Sequence, residues 1–155
     1  MSCSAALYAQ SDELLEEVPE TEEEYAASEQ RVINTINWLD NTAINEDVDN
    51  RRAQTLLFIE WMNGSPSVTI TINSSIAVFT KVNPELLITF MGGWAKYTLE
   101  NDYEKDELKC NLAGIKSVIA FYKNGNGLKK DKKVEKLLKM NDAELEAWVK
   151  KYLDK

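Results

Sequence analysis

The chain has 155 residues, 44% of them hydrophobic and 28% charged, which suits one globular domain and leaves no apolar run long enough to span a membrane. Its net charge of −8 is unevenly placed: nine acids and no base lie between Gln10 and Gln30, whereas Arg31 onward holds 18 bases and 17 acids. A nearly neutral body argues against nucleic acid as a partner, and the complete lack of histidine removes the commonest general base, the usual nucleophile pairs and imidazole metal ligands.

The first ten residues carry no charge, and Ala9-Gln10 resembles a cleavage site after small residues. Residues 1–9 therefore read as the remnant of a signal peptide, which implies a periplasmic or secreted protein. Two alternatives stand beside this: a lipoprotein anchored through Cys3, and a cytoplasmic protein whose N-terminus has no targeting meaning. Residues 10–20 read as an acidic linker ended by Pro19, and 21–155 as a single helical domain.

Thr21-Glu-Glu-Glu24 is a capping box, and Tyr25, Val32, Ile36 and Leu39 continue it as a helix to about Asp40. Its glutamates suit the positive end of the helix dipole better than a calcium site. After a turn at 41–45, Glu46, Asp47 and Asp49 open a second helix running to Asn63-Gly64-Ser65-Pro66. There Gly64 is placed for a left-handed cap, and Asp47 has the spacing to pair with Arg51.

Segment 67–80 is ambiguous. Val68-Thr-Ile-Thr-Ile72 alternates like a strand, with 76–79 as a possible hairpin partner, yet Ile72, Ile76 and Phe79 also fit helical spacing, and the balance leans to a short helix or an irregular, extended connection. Residues 83–100 follow as a helix opened by Asn83 and Pro84 and apolar almost all round, as befits an element enclosed by others. Gly92 and Gly93 in its middle cost roughly 1 kcal/mol each against alanine, and a close helix crossing compensates for this most simply. A ligand floor made by Gly92, Gly93 and Trp94 is the alternative.

Leu108, Leu112, Ile115, Ile119 and Tyr122 step by four and three along the next helix, which the short turn at 101–104 should return antiparallel to the preceding one. Cys110 on it reads as a small packing residue. Asn124-Gly-Asn-Gly127 stops that helix and matches neither a phosphate loop nor a calcium loop. A short lysine-rich helix over 129–139 and a second capping box, Asn141-Asp-Ala-Glu144, lead into a closing helix with Leu145, Trp148, Val149, Tyr152 and Leu153 on one face.

The fold class is therefore all-α, about six helices packed as antiparallel pairs, with 67–80 either a short hairpin or a helix. Asn83-Pro-Glu-Leu-Leu-Ile-Thr-Phe-Met-Gly-Gly-Trp-Ala-Lys-Tyr, with Asn111-Leu-Ala-Gly-Ile115 and Trp148-Val-Lys-Lys-Tyr152, resembles small uncharacterised exported proteins of Gram-negative bacteria. That resemblance implies a helical fold and export, and transfers no activity or site residue. With no cofactor motif and no catalytic constellation, the reading favoured is a non-enzymatic exported protein that binds a protein or peptide partner. A carrier of a small apolar or sugar-like ligand near Trp94 is the first alternative, and an enzyme using carboxylates alone is the second.

Overall fold

The computed structural model describes residues 13–155; the signal-like stretch 1–9, Cys3 and the start of the linker lie outside the described residues. Six α-helices follow: α1 (Glu22–Asp40), α2 (Val48–Gly64), α3 (Leu86–Glu100), α4 (Glu107–Lys123), α5 (Lys132–Leu138) and α6 (Asp142–Leu153). The described residues contain no strand, so the fold is all-α, and no helix among them is long and apolar enough to cross a membrane.

Both capping boxes form. The Thr21 side chain accepts from the Glu24 N–H while Glu24 reaches back, and Asn141 and Glu144 do the same for α6. Where α1 and α2 pack, Thr35 meets Gln54 and the Trp61 indole N–H donates to the Ser28 hydroxyl, the register of an antiparallel hairpin. In the α3–α4 pair, Gly93 faces Ser117 and Thr98 reaches Cys110, again antiparallel. This is the most extensive helix pairing in the molecule.

Glycine sets the α3–α4 spacing. A Cβ on Gly93 would stand 2.3 Å from the Ser117 hydroxyl and 2.9 Å from the Ala113 carbonyl oxygen. One on Gly114 would meet the Phe90 ring at 2.7 Å and the Phe90 carbonyl at 2.9 Å. Gly92 faces the other way, toward Ile36 of α1 at 3.0 Å. α3 therefore has neighbours on both sides, which is why it is apolar all round. Phe90 and Trp94 join the core formed with α4, α5 and α6, while Ala95 joins a second core with Val32, Ile36, Phe58 and Trp61 of α1 and α2. Ile70 packs against both.

Several details depart from the sequence reading. Of the alternatives for segment 67–80, the irregular connection is the one that forms, and neither the hairpin nor a regular helix does. The segment's first half is irregular and has no strand partner among the described residues, and its second half is a run of turns such as Ala77 N–H to the Asn73 carbonyl at 2.9 Å. The alternation still works for burial at Val68 and Ile70, but Ile72 is 44% exposed. Asn83 does not cap α3 with its side chain. Its amide instead clasps the Lys129 backbone, accepting from the N–H and donating to the carbonyl at 2.8 Å each. Gly64 remains within α2, and Ser65 is the residue that leaves the helix in extended conformation. On α4 the buried residues are Cys110, Asn111, Gly114, Ile115, Val118 and Phe121; of the predicted stripe Ile115 is fully buried, while Leu108, Leu112, Ile119 and Tyr122 are partly buried beside it. Burial pushes the Cys110 thiol up from its ordinary value, so it is a packing residue.

Gly93→Ala and Gly114→Ala should each lower unfolding free energy by about 1–3 kcal/mol, because the new methyl meets backbone that cannot move aside. Because both sites share one crossing, the double variant should lose less than the sum. Urea titrations followed by circular dichroism measure this, and unchanged midpoints would contradict the crossing.

Candidate functional site

The acidic stretch before α1 is a structural element over its described part. Leu15 is buried in the α1–α2 core, a contribution of roughly 1.5–3 kcal/mol for a leucine. Its N–H donates to the Thr35 hydroxyl and its carbonyl accepts from the Gln54 amide, each at 3.0 Å, while the Thr35 hydroxyl donates to the other end of Gln54 at 3.2 Å. This closed network leaves each of its buried polar groups with a partner, as burial demands. On the outside Arg31 forms an ion pair with Glu13 at 2.6 Å, and the Asn34 amide donates to the Glu13 carbonyl. Residues 13–20 are thus strapped across the helix hairpin.

Between strap and α1 lies a cleft of about 360 Å3. Leu15, Val18, Pro19 and Ala27 supply apolar lining, and Glu16, Glu17, Glu20, Glu24 and Arg31 supply the charges, a balance of −3. The four glutamates are exposed at the rim. Glu24 accepts from the Glu20 and Thr21 N–H groups, and Glu16 approaches Arg31 at 3.9 Å. Carboxylates standing beside Val18, Pro19 and Ala27 suit a cationic, partly apolar ligand.

A second polar centre lies where α1, α2 and α3 meet. α1 has no basic residue in its last turn, so its carbonyl end is served from other helices. The Arg51 guanidinium donates to the Leu39 and Thr42 carbonyls at 2.7 and 2.5 Å and lies over the Phe121 ring at 5.5 Å. Lys96 of α3 donates to Asn37 at 2.7 Å. The expected Asp47–Arg51 ion pair does not form, because Arg51 is held by these carbonyls and the Asp47 carboxylate instead accepts from Asn50. Half-buried Asp40 sits beside these cations. Desolvation raises its pKa from 3.8 to about 7, against the lowering effect of Lys96 and Arg51. Burial likewise lowers the Arg51 pKa, opposed by Asp40 and Glu85.

Gly92, Gly93 and Trp94 are adjacent in sequence but point into different surroundings. The spaces over the glycines are occupied by Ile36 and Ser117, and a ligand there would have to displace them. Trp94, 3% exposed, packs edge-on against Phe90 and borders a small cleft of about 140 Å3 lined by Ser67, Thr69, Thr71, Thr98, Glu104, Lys105 and Glu107. That volume lies below the roughly 300–1,000 Å3 usual for ligand pockets. Among the described residues, no three His, Cys, Asp or Glu side chains gather as metal ligands. The sequence reading missed the strap because its anchors, Thr35 and Gln54, lie 20 and 39 residues away; the apolar pair Leu14-Leu15 among acids was its only local sign.

Comparison with protein-family models, curated proteins and solved structures finds no match.

Asp40 makes stability depend on pH with a definite sign. Between pH 3.8 and about 7 the folded chain keeps a proton that the unfolded chain releases. Its contribution is therefore full below about pH 4 and is lost as pH rises through 7, with a slope no steeper than ~1.4 kcal/mol per pH unit and reduced by solvent screening. Asp40→Asn should remove this slope, so urea unfolding at pH 5, 6 and 8 should show the variant gaining on the wild type as pH rises. Equal slopes in the two proteins would contradict the assignment.

Arg51→Met should cost about 2–4 kcal/mol, since it leaves the Leu39 and Thr42 carbonyls without this donor and removes one of the two cations beside Asp40. Thermal unfolding measures this loss, and a variant as stable as the wild type would refute the role given to Arg51.

Proposed function

We propose that the protein is a non-enzymatic interaction module, exported to the periplasm or secreted, whose strap–α1 cleft takes a lysine- or arginine-bearing segment of a partner protein. The observation that carries this reading is the cleft itself: about 360 Å3, lined by four glutamates beside Val18, Pro19 and Ala27 and built by a strap pinned through Leu15. Its volume lies in the range of binding sites. Export rests on the uncharged start of the chain, with small residues around Ala9.

The carrier reading would rely on the smaller cleft at Trp94, where hydroxyls from Ser67, Thr69, Thr71 and Thr98 could meet a sugar-like molecule. Its small volume makes it the weaker of the two. A carboxylate enzyme has less support still, because the glutamates of the larger cleft are exposed at its rim.

A displayed random-peptide library selected on the full chain tests the leading proposal. Enriched peptides should carry Lys or Arg beside apolar residues and bind less tightly as salt is added. Their affinity, read by fluorescence anisotropy, should fall at least about tenfold for the E16K/E17K double variant, or ~1.4 kcal/mol. No enrichment, or peptides indifferent to that variant, would overturn the proposal.

A further inference from the structure

We propose that residues 68–72 are a pairing edge, through which two copies of the chain associate as an antiparallel β-pair about a two-fold axis at Ile70. Among the described residues, the backbone N–H and C=O groups of Thr69, Ile70, Thr71 and Ile72 have no hydrogen-bond partner. A folded chain ordinarily forms about one internal hydrogen bond per residue, so four successive residues without any stand out. Their side chains are nonetheless placed in a strand-like order. The chain runs from 68 to 73 without a turn or a bend. Val68 is buried and Ile70 packs against both cores, whereas Ser67, Thr69 and Thr71 border the small cleft at Trp94. Alternation along a straight run is the geometry from which a sheet is built. What the segment lacks is a neighbour, and Thr69, Thr71 and Ile72 are exposed.

Charge and symmetry select a second copy as the occupant. Residues 61–80 are the longest stretch of the chain without a charged residue, so the lysines that commonly guard a sheet edge are missing here. In a molecule of net charge −8, this stretch opposes no like charges when two copies meet along it. Val68-Thr-Ile-Thr-Ile72 is also nearly the same read in either direction about Ile70. A two-fold axis at Ile70 reverses chain direction, so Thr69 stands level with the partner's Thr71 and Val68 with the partner's Ile72. Residues level with one another project from the same face of the pair. Threonines therefore meet threonines on the cleft side, and aliphatic side chains meet on the core side. Each unpaired backbone group at 69–72 faces a complementary edge. Two edges this short bury less than the ~1,600 Å2 of a standard interface, so the dimer should be reversible, with a Kd of about 10–100 μM.

Sedimentation velocity on the full chain, from about 1 μM to about 1 mM, reads the assembly directly. The average mass should climb from 17.6 kDa toward twice that value and stop there. Hydrogen exchange should show every second amide from 68 to 72 gaining protection as concentration rises, the pattern of an antiparallel ladder. Charges placed at the threonines test the register. T69K/T71K and T69E/T71E should each stay monomeric alone, because like charges then stand level across the axis. An equimolar mixture of the two should dimerise with a Kd within about tenfold of the wild type, since lysine now stands level with glutamate. Both positions are exposed, so thermal melts of either variant at low concentration should match the wild type. A mass fixed at 17.6 kDa, or one that rises past the dimer, would overturn the proposal. So would a dimer without amide protection at 68–72, a T69K/T71K variant that pairs as the wild type does, or a mixture that stays monomeric.

Discussion

The fold depends on one close approach of backbone to backbone, that of α3 and α4 at Gly93 and Gly114. With no side chain at either position, the Ala113 carbonyl and the Phe90 carbonyl come within reach of the facing helix. A bulkier residue at either point would push the axes apart and open the core that Phe90, Trp94, Ile115 and Val118 fill together. Because α3 is held so closely on one side, its other side is free to receive α1, where Gly92 admits Ile36. Each layer is thus spaced from the one before: α4 against α3, α3 against α1, α1 against α2, and the strap across the last pair.

Charge follows the same architecture. The acids of the first turn of α1 and the lysines of the last turn of α6 sit where the helix dipoles favour them. α1, like α2 and α3, has no base in its last turn. It ends in an aspartate rather than a base, so Arg51 and Lys96 arrive from other helices to meet its carbonyls and Asn37. The hydrogen bonds of those cations go to these acceptors, and no ion pair with Asp40 forms among the described residues. This is consistent with desolvation prevailing over their attraction at that carboxyl. A single arginine therefore ties α1 to α2 and, through Phe121, to α4.

What was legible in the sequence was local. Thr21 with Glu24, and Asn141 with Glu144, announce their helices because a capping box is complete within four residues. The pairing of α3 with α4 was legible because two long apolar helices joined by a short turn have little choice but to fold back on each other. Gly92 and Gly93 read as a crossing for the same reason. What was not legible depends on distant partners. Arg51 has an acid four residues before it, but carbonyls of the preceding helix end hold it instead. Asn83 looks like a cap and serves as a clasp on Lys129, 46 residues later. Val68 to Ile72 alternates like a strand, but no second strand lies beside it among the described residues. The acidic stretch looked like a linker by composition, because its fate rests on Leu15 and on two polar side chains far along the chain.

The cleft exists only while that strap is held, so the functional reading and the fold converge on the amide of Leu15. Site-resolved hydrogen exchange on the free, full-length chain measures it most directly. A Leu15 N–H donated to Thr35 within a closed network should exchange orders of magnitude more slowly than an unstructured amide, with protection comparable to the middle of α1. Exchange of Leu15 at the rate of an unstructured chain, with α1 and α2 still protected, would mean that the strap is not part of the fold and that the cleft is not there to bind a partner.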